Sequence, residues 1–124
     1  MENTLWIVTE DDLLRQELPA LLQPLGYTHR LYKRTRSALR ALERQDPPAL
    51  ILIDSAALDL LARVRQKPRF VHLPVVVITV AANDNAVEQL FSRGADGCIN
   101  RPVIAAGLAT VIKAALQRRR GIAT

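Results

Sequence analysis

Leu50-Ile51-Leu52-Ile53-Asp54 is the stretch on which the fold turns: four aliphatic residues in a row, closed by an acid. A strand with one wet face alternates apolar and polar residues. An unbroken apolar run of this length instead marks a strand covered on both faces, the situation of a parallel sheet flanked by helices. The same signature recurs at Leu5-Trp6-Ile7-Val8 and at Val75-Val76-Val77-Ile78. Weaker strand patterns run from Thr28 to Tyr32 and from Gly97 to Asn100.

Helical periodicity fills the intervals. Leu13, Leu14, Leu18, Leu21, Leu22 and Leu25 repeat near 3.6 residues, with Asp11 placed to cap the start and Gly26 the end. Pro19 falls inside this pattern, where it deletes an amide donor and predicts a kink. Further helices are expected over 37–44, 58–65, 83–93 and 103–120, the last with a stripe of Ile104, Leu108, Val111, Ile112, Ala115 and Leu116. Five strand–helix units with short links predict an α/β chain: one doubly wound domain with a five-stranded parallel sheet and helices on both faces. The domain is expected to occupy residues 1–117, with 118–124 as a basic tail or the start of a linker.

Composition fits that reading and excludes others. The chain has 124 residues, 49% hydrophobic and 23% charged, which suits one globular domain and not a disordered or fibrous chain. Its apolar runs fall far short of the roughly 20 residues that cross a bilayer, so no membrane association and a cytoplasmic location are expected. A single cysteine, Cys98, precludes an internal disulfide and a multi-cysteine zinc site, and is expected to be a small buried filler. His29 and His72 have no second ligand at metal spacing, and Trp6 is expected in the core.

In an open parallel sheet, ligands bind beyond the carboxyl ends of the strands. The residues that follow the strands are Thr9-Glu10-Asp11-Asp12, Asp54, Thr79 and Arg101-Pro102. Acids, a hydroxyl and a cation on one rim suit phosphoryl transfer to a carboxylate. Asp54 is the candidate nucleophile. Mg²⁺ held by Asp54 and Glu10 would neutralise the transferring oxygens, and Thr79 and Arg101 would bond the bound phosphoryl group.

Taken together, these positions resemble the receiver domain of bacterial two-component response regulators over nearly the whole chain. Leu14-Arg15, Gly26-Tyr27, Ala38-Leu39, Leu73-Pro74-Val75, Gly94-Ala95-Asp96 and Arg101-Pro102 carry the resemblance with the rim acids and Asp54. It implies a flavodoxin-like (βα)5 fold, Asp54 as phosphoacceptor, Thr79 as switch hydroxyl, and Mg²⁺ near Glu10 and Asp54 with a ligand from the Ala56 backbone carbonyl. The sequence also departs from the family. Thr9 stands where the first acid of the usual pair belongs, with Asp11 next in line to compensate. The loop after Asp54 is short, Arg101 replaces a lysine, and Cys98 replaces an aromatic switch residue. Arginine keeps the charge, but its planar fork differs from a compact ammonium.

The function implied is that of a signalling module, not an enzyme. Asp54 would accept a phosphoryl group from a histidine kinase or phosphotransfer protein and shift the face of the fourth helix, fifth strand and fifth helix toward a second copy or an effector domain. A degenerate receiver acting as a phosphorylation-independent interaction module is the alternative. An aspartyl-phosphate phosphatase is disfavoured, because Ser55-Ala56 follows Asp54 and offers no second acid. The formal charge of +5 resides in residues 30–44, where six cations meet one acid, Glu43. Arg36, Arg40 and Arg44 recur every fourth residue and line a helical face that, where it is more than a solvated surface, is a second docking site for an acidic partner, away from the switch face of the fourth helix, fifth strand and fifth helix. With no aromatic interleaved and no base-reading motif, specific DNA binding is not expected.

Overall fold

In a computed structural model, which describes residues 3–80 and 83–121, the strands are β1 (Thr4–Val8), β2 (Thr28–Tyr32), β3 (Leu50–Asp54), β4 (Val75–Thr79) and β5 (Gly97–Asn100). The helices are α1 (Asp12–Leu22), α2 (Thr35–Arg44), α3 (Leu58–Arg65), α4 (Asp84–Ser92) and α5 (Ala105–Arg120). All strand pairs are parallel, in the order β2-β1-β3-β4-β5. The order reverses between β1 and β3, which opens a crevice at their carboxyl ends.

The continuous apolar strands are buried on both faces, as their composition requires. Trp6, Val8, Ile51, Ile53, Val75 and Val77 meet α2 and α3 through Ala38, Leu42, Leu60, Leu61 and Val64. Leu5, Ile7, Leu50, Leu52, Val76 and Ile78 point the other way, onto Leu14, Leu18 and Leu22 of α1 and Leu108, Ile112 and Ala115 of α5. Each fully buried aliphatic side chain contributes about 1.5–3 kcal/mol of transfer free energy. Trp6 lies in the core, its ring tilted against Tyr32.

Local chemistry sets the helix ends. The Asp11 carboxylate accepts from the Leu14 amide at 3.0 Å and starts α1; Asn83 does the same for α4 through the Ala86 amide at 2.8 Å. Pro19 lies within α1 without dividing it; the helix gives way to a short 3₁₀ turn, Gln23–Leu25, closed by Gly26 at φ 89°. Two more 3₁₀ turns, Ser55–Ala57 and Pro68–Phe70, were not foreseen from the sequence. Cys98 is a correction of degree: it is half-buried in a shallow, mostly apolar hollow beside Val87, Phe91 and Val111, and burial raises its thiol pKa.

The C-terminal boundary needs a larger correction. Residues 118–120 complete α5, and Arg119 is buried, so the boundary expected after 117 falls inside a packed helix. Residues 122–124 of the expected tail lie outside the described residues. Asp96, buried just before β5, is the reason. Its Oδ1 accepts from Arg119 Nε, its Oδ2 from Arg65 Nη2 at 2.8 Å and from the Val75 amide at 3.0 Å, and Arg118 approaches at 3.4 Å. Arg119 also donates to the carbonyls of Val71 and Gly94, and its own carbonyl meets His72 Nδ1 at 3.0 Å. Burial and the neighbouring Arg119 lower the Arg65 pKa to about 10 against the pull of Asp96, so the group stays cationic at neutral pH. A buried carboxylate is tolerated only when its charge and lone pairs are met in this way. The clamp ties the end of α5 to the base of the sheet.

Candidate functional site

The parallel register builds the site. Val8 pairs with Ile53 and Ile53 with Val77, so the next residues, Thr9 and Asp54, sit side by side at the crevice. The Thr9 hydroxyl donates to Asp54 Oδ2 at 2.5 Å, and the Ala56 amide donates to Oδ1 at 3.1 Å. Thr9 is itself fixed: its hydroxyl accepts from the Asp11 amide, and its carbonyl accepts from Arg15 Nη1, both at 3.0 Å. Arg15, legible in the sequence only through the Leu14-Arg15 pair of the resemblance, thus shapes the rim from α1.

A cleft of about 520 Å³ opens over Asp54. Thr9, Glu10, Asp54 and Ala56 line it, so three of the expected ligand positions share one space. The opposite wall is α2 and the segment before it, with Lys33, Arg34, Thr35, Arg36 and Arg40. The basic face stays clear of α4, β5 and α5, as expected, but it also closes over the acidic rim, because α2 leaves β2 next to β1. No linear signal gives that adjacency. Arg44, counted with Arg36 and Arg40, lies elsewhere, over a hollow with Glu43, Gln45, Asp46 and Arg69. Eight residues on an α-helix advance about 80° beyond two full turns, which carries Arg44 off the face.

Thr79 and Arg101 are not among the residues that line the cleft. Thr79 ends β4 one position beyond the residue paired with Asp54, and its carbonyl accepts from the Arg101 amide at 2.9 Å. The Arg101 guanidinium turns to Asp11, with Nη1 2.9 Å from Oδ2. That bond, the Leu14 amide and the Arg101 charge hold the Asp11 carboxyl below its ordinary pKa, while Asp11 raises that of Arg101. Asp11, expected as a further metal ligand, is occupied as helix cap and ion-pair partner.

The donor set fits a hard divalent cation at its simplest. Mg²⁺ takes one or two carboxylates and keeps several waters, and Glu10 and Asp54 supply two carboxylates on one cleft wall beside the Ala56 backbone. Among the described residues no group of three or more His, Cys, Asp or Glu gathers at metal spacing, so backbone and water would complete the shell.

Comparison with known proteins agrees with this geometry. Residues 5–113 match the response regulator receiver domain family. Protein RcaC of Microchaete diplosiphon is 28% identical over 122 residues, 95% of this chain but 19% of that protein, so the chain spans about a fifth of that relative. Among solved structures, NtrX from Brucella abortus in complex with ATP is similar with a TM-score of 0.82 and 26% identity, covering 97% of this chain and 28% of that one. The receiver domain of sensor histidine kinase PA1611 from Pseudomonas aeruginosa PAO1, which has a magnesium ion in its active-site cleft, shares the fold at a TM-score of 0.80 and 20% identity, covering 94% of this chain and 99% of that one.

Proposed function

This chain belongs to the response regulator receiver domain family, a module of two-component signal transduction, and from that premise we propose that Asp54 is its phosphoacceptor. The observation that carries the reading is the position of Asp54: it closes β3 at the sheet's reversal point, with its carboxylate held at the wall of an open cleft by Thr9 and the Ala56 amide.

The step balances simply. A carboxylate oxygen of Asp54 attacks phosphorus, the bond from phosphorus to the donor's histidine nitrogen breaks, and that nitrogen keeps the electron pair. The product is an acyl phosphate. Mg²⁺, when bound at Glu10, Asp54 and the Ala56 carbonyl, would supply charge neutralisation to the transferring oxygens; the magnesium-bearing neighbour supports this assignment. The chain's own groups do the positioning. Thr9 fixes one carboxylate oxygen, and the Ala56 amide orients the other. Thr79 stands at the strand end as the switch hydroxyl, and Arg101 is released to the phosphoryl group by exchange from Asp11. A phosphoryl group brings about −1.5 to −2 of charge to the rim, enough to bias an arrangement in which Arg101 chooses between two anions.

The partners are then a histidine kinase or phosphotransfer protein upstream. Downstream lies a second copy or an effector domain on the α4–β5–α5 face, where Cys98 takes the place of an aromatic side chain. No described helix is long and apolar enough to cross a membrane, which accords with a cytoplasmic module. The test is transfer of labelled phosphate from a phosphorylated histidine phosphotransfer protein. Hydroxylamine-sensitive label on the wild type and none on Asp54→Asn is expected; label retained by Asp54→Asn overturns the assignment.

A further inference from the structure

The cleft over Asp54 continues into a second of about 500 Å³ that runs between α2 and α3, and the two share Thr35, Arg36, Arg40 and Asp59. Lys33, Arg34, Arg36, Arg40, Arg63 and Lys67 line this continuous groove. Among the described residues none of the six takes part in an ion pair. The groove's acids are fewer, namely Glu10, Asp54, Asp59 and Glu43, and Asp59 already accepts from the Thr35 hydroxyl at 2.8 Å. Like charges one helical turn apart, as at Arg36 and Arg40, repel one another. They therefore favour any occupant that brings negative charge.

We infer that the α2–α3 groove is a docking surface for an acidic, helical segment of a partner protein. Charge complementarity selects the sign of the occupant, and the lining selects its class. Asp59 and Glu43 interrupt the cationic walls, and Leu39 adds an apolar side chain beside them. A phosphate backbone, uniformly charged and without apolar side chains, would meet those carboxylates and leave Leu39 unused. Nor does any aromatic side chain line either cleft to stack a base. A helix carrying Glu at four-residue spacing beside a leucine stripe sets discrete carboxylates against the cations and an apolar side chain against Leu39, with its charges spaced clear of Asp59 and Glu43. The surface is separate from the α4–β5–α5 face.

The probe is a fluorescein-labelled peptide of about 18 residues, roughly five helical turns, built of Glu at i, i+4 with Leu on the adjoining stripe. Anisotropy is read with the full chain at low and moderate salt. The double variant Arg36→Glu/Arg40→Glu is expected to weaken binding about ten-fold or more. Arg93→Glu/Lys113→Glu changes net charge equally at exposed positions outside the groove, just past α4 and on α5, and is expected to have under about a two-fold effect. Equal losses in both variants, no binding at low salt, or tighter binding of a single-stranded DNA of similar length would each overturn the assignment. Should the first variant fail to fold by circular dichroism, amide chemical shifts of the wild type decide. The peptide must move residues 33–40 and 63–67, and movement confined to α4 and α5 contradicts it.

Discussion

The Thr9 hydroxyl and the Asp54 carboxylate are joined by a hydrogen bond across β1 and β3. Where an acid would share a cation with Asp54, this chain has a neutral donor that satisfies the carboxylate directly. In the proposed site, metal affinity would therefore rest on Glu10, Asp54 and the Ala56 backbone. Thr9→Asp restores a second adjacent carboxylate and is expected to tighten Mg²⁺ binding about ten-fold, or 1.4 kcal/mol, as read by calorimetric titration. Unchanged or weaker binding would show that Thr9 does not face the cation.

The Arg101–Asp11 pair gives a pH signature. Asp11 has an ordinary pKa of 3.8, lowered in the folded chain chiefly by its bond to Arg101. A depressed carboxyl stabilises the fold above its unfolded pKa and loses that contribution as pH falls through the folded value. The effect of the pair is therefore expected to be complete above about pH 4 and to fade below it. In Arg101→Ala the Asp11 carboxyl, followed by NMR, is expected to titrate closer to its ordinary value. An unshifted titration would mean that the pair does not persist in solution.

Asp96 anchors α5 through the buried Arg119 and also holds the partly buried Arg65 of α3. Asp96→Ala leaves Arg65 and Arg119 without their counter-charge and is expected to cost about 3–5 kcal/mol in urea unfolding. A loss below about 1 kcal/mol would mark the cluster as a surface ion pair.

Gly97 begins β5 where α5 crosses closest. A Cβ there would stand 2.6 Å from Val111 Cγ1 and 3.3 Å from Val76 Cγ2. Gly97→Ala is expected to destabilise by about 1–3 kcal/mol through overpacking, measured as a shift in the denaturation midpoint at constant slope.

Much of this architecture was legible in the chain because its signals are local. Three unbroken aliphatic runs marked the buried strands, the leucine period and Asp11 located α1, and strands β2 and β5 fell where their patterns ended. Asp54 was legible because an acid closes the strongest run. What the sequence withheld depends on distant residues meeting. Strand register sets Thr9 on Asp54, the choice of Asp11 as partner turns Arg101 aside, and the placement of α2 beside β1 folds the basic stretch over the acidic rim. The clamp on Asp96 was hidden for a similar reason. Arg118-Arg119-Arg120 reads as a solvated basic end, and only the passage of α5 past the base of β4 and β5 shows that Arg119 turns inward.

The role of Asp54 is decided by intact mass after the full chain is incubated with acetyl phosphate and Mg²⁺. The wild type is expected to gain an adduct of about 80 Da, lost when the metal is chelated and absent from Asp54→Ala. No adduct on the folded wild type, or one that survives Asp54→Ala, would contradict the assignment and leave a phosphorylation-independent interaction module in its place.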